Sequence, residues 1–190
     1  MGANDWRTHN SSGSKRVVCT KELPGTRWLE VLAAADCKVE IGTSTDILSV
    51  EEIKEKIGDS CDGVIGQLTE KWGEELFSAL KNAGGKAYSN YAVGYNNVDV
   101  GVATKYGIPV GNTPGVLTET TAEMAISLTF SAARRVVEAD AFMRAEKYKG
   151  WLPTLYLGEL MNRKTVGVLG AGRIGATYAK MMVEGFKMNL

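Results

Sequence analysis

Residues 165–175, Thr-Val-Gly-Val-Leu-Gly-Ala-Gly-Arg-Ile-Gly, decide the fold class of this chain of 190 residues. The apolar run over residues 165–169 is typical of a strand that is buried on both faces of a parallel sheet. It leads directly into a Gly-x-Gly-x-x-Gly motif, and a helical pattern follows over residues 173–185. Strand, glycine turn and helix in this order predict the first βα unit of a Rossmann domain.

The three glycines of this motif have different expected roles. Gly170 permits the tight turn, Gly172 lets a pyrophosphate approach the backbone, and Gly175 lets the helix and strand pack closely. The helix N-terminus adds free N–H groups and partial positive charge. The motif therefore predicts dinucleotide binding, with a purely structural turn as the alternative. The acidic residue that would bind the ribose is expected about 20 residues after the motif, beyond Leu190, so NAD and NADP both stay open.

Upstream of the motif, short β-branched runs alternate with helical patterns. Strands are predicted at residues 16–20, 38–41, 63–66, 86–89 and 108–110. Helices are predicted at residues 26–35, 50–57, 74–83 and 98–106. This alternation predicts an α/β fold with a mostly parallel sheet, here a doubly wound, flavodoxin-like unit that precedes the start of the Rossmann domain.

A Thr-Pro-Gly turn marks the predicted boundary between a first domain over residues 15–112 and a second over residues 113–190. The second domain is predicted to begin with one long helix over residues 118–145. Thr120 is the expected N-cap of this helix, and Glu123, three residues later, is expected to complete a capping box.

Composition and charge exclude several classes of function. Lys and Arg together number 22, as do Asp and Glu, so no net field favours nucleic acid, and the absence of an apolar run of about 18 residues predicts no membrane span. Cys19, Cys37 and Cys61 form no CxxC pair, so neither a disulfide framework nor a metal site is expected. His9, the only histidine, lies in a polar leader over residues 1–14 that is expected to be disordered. Because the chain has no other histidine, no catalytic residue is predicted. Because neither nucleic acid nor a membrane is indicated, a small molecule is the expected ligand.

Four segments resemble successive signatures of the D-isomer-specific 2-hydroxyacid dehydrogenases, in the family's order and spacing. They are SNYAVGYNNVD at residues 89–99, YGIPVGNTPG at residues 106–115, TETTAE at residues 118–123, and the glycine motif. Four segments are similar in particular to plant-type NADH-dependent hydroxypyruvate reductases: GVIGQLT at residues 63–69, NTPGVLTETTAE at residues 112–123, GWLP at residues 150–153 and MVEGFKMNL at residues 182–190. The resemblance covers residues 15–190.

The resemblance implies a two-domain oxidoreductase that reduces a small 2-keto acid, hydroxypyruvate or glyoxylate, to the D-2-hydroxy acid with NADH. Residues 15–112 and a distant C-terminal tail would form the substrate domain, with the cofactor domain inserted between them. The long helix would be the dimerisation arm of a homodimer. The plant relatives are peroxisomal, so the peroxisome is the expected location and the cytoplasm is the alternative.

The resemblance also implies residues for the substrate. Val93 and Gly94 would hold the substrate carboxylate through backbone N–H groups, which agrees with the ability of successive amides around a glycine to form an anion-binding nest. A strand-to-helix turn that requires Gly94 is the alternative. Leu68 and Trp151 would line the substrate cleft, and simple packing or anchoring of a loop is the alternative for each.

For the cofactor, the resemblance implies that Arg173 and Ile174 donate backbone N–H groups to the pyrophosphate, alongside the three glycines. Thr121, early in the long helix, would face the nicotinamide end. Its alternative role is that of a hydroxyl at a helix start.

Reduction of a 2-keto acid also needs a cation that polarises the ketone and an acid that protonates the forming alkoxide. In the family these are an Arg and a His paired with a Glu, all in the second half of the cofactor domain, and residues 1–190 offer no counterpart. We therefore expect a fragment without measurable activity of its own. The alternatives are a phosphoglycerate or other 2-hydroxyacid dehydrogenase, a noncatalytic nucleotide-binding module, and a truncated product without a function.

Overall fold

The computed structural model describes residues 6–190. The chain divides after Pro114 into two compact units, of which the second is Gly115–Leu190. This division falls two residues beyond Asn112, where the sequence placed the domain boundary.

The first unit alternates strands and helices as predicted. Its elements are β1 (Trp6–His9), β2 (Lys15–Cys19), α1 (Arg27–Ala34), β3 (Cys37–Gly42), α2 (Val50–Ile57), β4 (Gly63–Gly66), α3 (Glu74–Asn82), β5 (Ala87–Asn90), α4 (Val100–Lys105) and β6 (Val110–Gly111). The strand order is β1-β3-β2-β4-β5-β6, and every pair except β1 with β3 is parallel. Without β1 this is the flavodoxin-like order 2-1-3-4-5, and the predicted α/β class is confirmed.

Strand β1 corrects one prediction, because it forms within the leader that was expected to be disordered. Trp6 pairs with Gly42, and β1 runs antiparallel along the open edge of β3. The Trp6 ring packs against the core and lies 4.3 Å from the Lys56 ammonium. The segment is therefore held by strand pairing at the edge of β3, by the Trp6 ring and by the ion pair of Arg7 with Glu22. Residues 1–5 of the leader lie outside the described part of the chain.

Both faces of the sheet carry an apolar core. Val17 and Val18 are neighbours in β2, point to opposite faces, and belong to two separate clusters of buried side chains. The cluster that contains Val18 is covered by α2, α3 and α4, whereas the cluster that contains Val17 is covered by α1. Beside α1 an apolar groove of about 1270 Å³ stays open over the sheet, lined by residues that include Trp28, Ile65 and Val110.

The second unit contains three helices: α5 (Thr118–Ala133), α6 (Val136–Arg144) and α7 (Arg173–Phe186). Helix α7 packs on α5, where the Thr129 and Tyr178 hydroxyls lie 2.9 Å apart and the rings of Phe130 and Phe186 are in contact. Among the described residues, 6–190, no helix is long and apolar enough to cross a membrane.

The single long helix predicted over residues 118–145 is wrong, since α5 and α6 are separated at Arg135. This residue has a left-handed φ of 55°. Its guanidinium bonds to Glu138 at 2.6 Å and lies 4.9 Å from the Tyr156 ring, and these contacts oppose part of the cost of the left-handed backbone. No glycine or proline marks the break in the sequence.

The capping box predicted at Thr120 is also wrong. The N-cap of α5 is Leu117, without a side-chain cap, because the helix begins at Thr118 directly after the turn at Gly115. Thr120 is therefore already inside the first helical turn.

The strand predicted over residues 165–169 does not form. Thr165 makes only an isolated parallel bridge to Asn189, with Val166 N donating to Asn189 O at 2.8 Å. Val166 is buried, but Leu169 is fully exposed. The segment has no neighbouring strand within the second unit, and a single extended segment cannot complete a ladder of hydrogen bonds.

Candidate functional site

A loop with free backbone N–H groups lies at the carboxyl ends of β4 and β5, where ligands bind in open α/β sheets. This loop, residues 91–97, follows β5, and Tyr91 N donates to Gly66 O at the end of β4 at 2.9 Å. Within the described residues, the N–H groups from Val93 to Asn97 donate to no protein acceptor. Val93 is half-buried, and a half-buried N–H group normally has a partner, whereas Gly94 is exposed, so its N–H is accessible to a ligand.

The carbonyl groups of the same loop are, in contrast, held by the protein. Three successive oxygens accept hydrogen bonds: Ala92 O from Thr113 N at 2.9 Å, Val93 O from Asn112 Nδ2 at 2.8 Å, and Gly94 O from Asn90 Nδ2 at 3.0 Å. The acceptors of the loop are thus satisfied while its donors are free. This asymmetry favours an anion over a cation or a neutral ligand.

Neither backbone strain nor crowding within the first unit explains the glycine at position 94. Gly94 does not adopt a left-handed φ, and a Cβ built on it would meet no atom within 4 Å. A turn that requires glycine is therefore not supported. The residue leaves open space beside the free N–H groups, as close approach of a ligand requires.

Leu68 follows β4 by two residues, and 63 % of it is exposed. It is not a core residue of the first unit, so simple packing does not account for it there. Its place at the end of β4 is the same edge of the sheet as the loop that contains Val93 and Gly94.

A buried polar network, which was not predicted from the sequence, underlies this loop. Asn90, fully buried, and Asn97 exchange hydrogen bonds through their side-chain amides, each Nδ2 donating to the other Oδ1 at 3.1 Å. Tyr88 OH donates to Asn90 Oδ1 at 2.9 Å, and Asn97 Nδ2 also donates to the carbonyls of Gln67 and Glu70. The only sequence signal for this network was the pair of asparagines that flanks Gly94.

The Glu70 side chain is buried in the same region. Desolvation by burial raises the pKa of its carboxyl, and the hydrogen bond from Trp72 partly opposes that shift. Trp72 Nε1 donates to Glu70 Oε2 at 3.1 Å, while Glu70 Oε1 has no partner among the described residues. A carboxyl in this setting favours its neutral form more than an exposed one does.

In the second unit, the three glycines of the motif lie at the N-terminal end of α7 and differ in their surroundings. Gly170 has a left-handed φ of 97°, and a Cβ at Gly175 would collide with the Gly170 carbonyl. Gly172 is the N-cap of α7, and a Cβ there would meet no atom within 4 Å. The turn itself therefore requires glycine at positions 170 and 175, whereas nothing within the described residues requires glycine at position 172, where open space remains.

The start of α7 also offers donors. Ala176 N donates to Gly172 O, but the N–H groups of Arg173, Ile174 and Gly175 have no acceptor within the described residues. Together with the positive end of the helix dipole, these groups fit the pyrophosphate of a dinucleotide.

The structure places the other two predicted residues on the surface of the second unit. Thr121 is exposed in the first turn of α5, and its hydroxyl makes no hydrogen bond within the described residues. It does not cap the helix. Trp151 lies in the segment that follows α6 and is 78 % exposed, so it does not anchor that segment to its own unit. No cluster of three metal-ligating side chains occurs in residues 6–190.

Comparison with known proteins gives the class to which this chain belongs. The D-isomer specific 2-hydroxyacid dehydrogenase catalytic domain matches residues 17–177. The chain therefore belongs to this family of oxidoreductases, which bind NAD(P), and the resemblance predicted from the sequence is confirmed.

Two relatives and one solved structure are similar to this chain over most of its length. The chain is 69 % identical over 182 residues to glycerate dehydrogenase of Cucumis sativus and 67 % identical over 183 residues to the peroxisomal glycerate dehydrogenase HPR of Arabidopsis thaliana. These alignments cover 95 % and 96 % of this chain but 48 % and 47 % of the relatives, so the chain spans about half their length. The crystal structure of the TT0316 protein from Thermus thermophilus superposes with a TM-score of 0.85 at 35 % identity, covering 91 % of this chain and 54 % of that one.

Proposed function

We propose that this chain is part of a homodimeric NADH-dependent reductase that converts hydroxypyruvate to D-glycerate and accepts glyoxylate as a second substrate. One observation carries the proposal. On the loop after β5, the N–H groups of Val93 and Gly94 are free beside open space, while the carbonyls of the same loop are held by the protein.

The substrates share a carboxylate next to a carbonyl. A carboxylate accepts hydrogen bonds at both oxygens, and charge-assisted bonds from backbone N–H groups are stronger than neutral ones. Val93 and Gly94 would bind this carboxylate, and Leu68 at the end of the neighbouring strand would lie beside the rest of the molecule. Binding at the carboxylate alone leaves the carbonyl carbon free to react.

The residues of the second unit would hold the cofactor. Gly172 leaves room for the pyrophosphate, the N–H groups of Arg173 and Ile174 donate to it, and Thr121 is assigned to the nicotinamide end. When bound, NADH supplies the hydride that adds to the carbonyl carbon. The relatives named as glycerate dehydrogenases support a three-carbon substrate. NADH is the cofactor that the family resemblance implies, and NADP stays the alternative.

The polarising cation and the proton donor have no candidate among the residues described above. We assign them to the Arg and the Glu-paired His that the family resemblance implies outside the 190 residues. A C-terminal tail, also implied by the resemblance, would cover the apolar groove beside α1 and complete the substrate domain over residues 15–112. Residues 113–190 would then be the start of the cofactor domain.

A homodimer accounts for the apolar surface of the second unit. Large apolar side chains are exposed along α6 and the segment after it, namely Val136, Val137, Met143, Trp151, Leu152, Leu157 and Leu160. An exposed apolar surface of this extent is typical of an interface, and we assign it to a second copy of the chain. The relative from Arabidopsis thaliana supports the peroxisome as the location.

The carboxylate site can be tested on the 190-residue chain by NMR. We expect that hydroxypyruvate shifts the amide signals of Val93 and Gly94, whereas dihydroxyacetone, which carries a carbonyl but no carboxylate, does not. Absence of a shift at both residues, or an equal shift with dihydroxyacetone, would overturn the proposed carboxylate site.

A further inference from the structure

We propose that Asn112 is a positioning residue for the reductase: its side-chain amide holds the Val93 carbonyl and thereby aims the Gly94 N–H at the substrate carboxylate. This inference rests on the proposed function. Asn112 itself touches neither the substrate nor the cofactor in this account.

A peptide group is rigid, so its carbonyl and its N–H cannot be oriented independently. The carbonyl of one residue and the N–H of the next lie in one plane and, in a trans peptide, point in opposite directions. The described residues contain no cis peptide bond. A hydrogen bond that fixes the Val93 carbonyl therefore also fixes the direction of the Gly94 N–H.

Different donors hold the two peptide groups that present the Val93 and Gly94 N–H groups. Asn112 Nδ2 donates to Val93 O at 2.8 Å, so it controls the peptide plane that contains the Gly94 N–H. The neighbouring plane, which contains the Val93 N–H, is controlled by the backbone donor Thr113 N at 2.9 Å from Ala92 O. Of these two planes, only the one that presents the Gly94 N–H depends on a side chain.

The Asn112 side chain has no other structural role within the described residues. It is exposed and follows β6 directly. Within the described residues, its side chain makes a single hydrogen bond, to the Val93 carbonyl. It is not part of the buried network of Asn90 and Asn97. Its removal should therefore leave the fold intact while freeing one peptide plane, which separates a positioning role from a structural one.

A second side chain fixes one more free N–H group of this loop in the same way. Asn90 Nδ2 donates to Gly94 O at 3.0 Å and so fixes the plane that contains the Tyr95 N–H, which is also free. Asn90 is buried, however, and its substitution would disturb the core. Asn112 is therefore the residue on which the inference can be tested cleanly.

The experiment compares Asn112→Ala with Asn96→Ala in the 190-residue chain. Asn96 is a matched control because it is an exposed asparagine in the same loop whose side chain makes no hydrogen bond within the described residues. The dissociation constant for hydroxypyruvate is measured by NMR titration, the direction of the Gly94 N–H by residual dipolar coupling, and the fold by the melting temperature.

We expect that Asn112→Ala weakens hydroxypyruvate binding about tenfold, the effect of losing one well-aimed hydrogen bond to a charged group. The Gly94 coupling should change, the couplings of β2 and β4 and the melting temperature should not, and Asn96→Ala should match the wild type. Asn112→Gln, which retains an amide donor, should recover part of the affinity.

Unchanged affinity in Asn112→Ala would overturn the positioning role, whether or not the Gly94 coupling moves. Weaker binding with an unchanged coupling would also overturn it, because the N–H direction would then not be the cause. If the wild-type chain itself does not bind hydroxypyruvate, the proposed function fails and this inference fails with it.

Discussion

Asn90 and Asn97 form a reciprocal amide pair, in which each side chain both donates to and accepts from the other at 3.1 Å. The pair joins the end of β5 to the turn after β4 and lies beneath the loop that contains Val93 and Gly94. Because Asn90 is fully buried, its amide has lost the hydrogen bonds to water that it makes in the unfolded chain.

Substitution of Asn90 by Ala should destabilise the chain by about 1–3 kcal/mol, because several buried groups lose their partner at once. These groups are the Tyr88 hydroxyl, the Gly94 carbonyl and the Asn97 amide. Urea unfolding of the wild type, Asn90→Ala and the exposed control Asn96→Ala measures the effect. A loss no larger than that of the control would show that the pair contributes nothing to stability.

Burial of Glu70 predicts a dependence of stability on pH. Its pKa is raised in the folded chain, so the folded state holds the proton more tightly than the unfolded state, whose pKa is near the usual 4.5. The contribution of Glu70 to stability is therefore fully present below about pH 4.5 and is lost as the pH rises from there through the folded pKa. Glu70→Gln, which stays neutral, should not show this loss.

The measurement is the difference in unfolding free energy between wild type and Glu70→Gln from pH 4 to pH 8. The difference should move in favour of the variant as the pH rises. The exposed substitution Glu55→Gln serves as the control. A difference that is constant across this range would contradict a raised pKa at Glu70.

Gly172 should matter for NADH and not for folding. A Cβ at this position meets no protein atom within 4 Å, and the backbone is extended, so valine is compatible with the fold. Gly172→Val should nevertheless weaken NADH binding by about tenfold or more, because the side chain would occupy the space that the pyrophosphate needs. Fluorescence titration with NADH measures this.

The control is Gly167→Val, at another exposed glycine with no neighbour within 4 Å, which should bind NADH as the wild type does. Equal affinity of Gly172→Val and the wild type would mean that the motif is only a structural turn.

Trp151 is predicted to help select the substrate. The exposed ring is suited to closing a cleft over a small polar molecule, in this account the cleft of the partner subunit. In a dimeric enzyme of the relatives' full length, Trp151→Ala should change the ratio of kcat/KM for hydroxypyruvate over glyoxylate several-fold, since pocket contacts of this size contribute about 1–3 kcal/mol. If both substrates lose activity equally, or only the melting temperature falls, Trp151 is structural.

Much of the fold was predictable because local patterns and tertiary packing agree. The nine elements predicted before Asn112 all form, and α2 and β4 have the predicted bounds. The errors lie at segments whose conformation is determined by tertiary contacts and not by the local sequence pattern. Strand β1 depends on the open edge of β3, and the break at Arg135 depends on contacts to Glu138 and Tyr156, none of which leaves a periodic signal in the sequence.

In the candidate site, too, local features were predictable, whereas contacts between distant segments were not. The glycine motif was predictable because Gly170 and Gly175 each meet a local steric demand, and because the spacing to Gly172 is fixed. The roles of Asn112 and of the pair Asn90 and Asn97 were not predictable. Their hydrogen bonds join segments that are distant in sequence, and an asparagine that holds a loop carbonyl looks like any other asparagine in a turn.

The most direct test of the central claim is a crystal structure of the 190-residue chain soaked with hydroxypyruvate. The account predicts that the carboxylate lies on the loop after β5, with its oxygens about 2.7–3.1 Å from the backbone nitrogens of Val93 and Gly94. A carboxylate bound elsewhere, or a loop that stays without hydroxypyruvate at saturating concentration, would contradict the assignment of this chain to a hydroxypyruvate reductase.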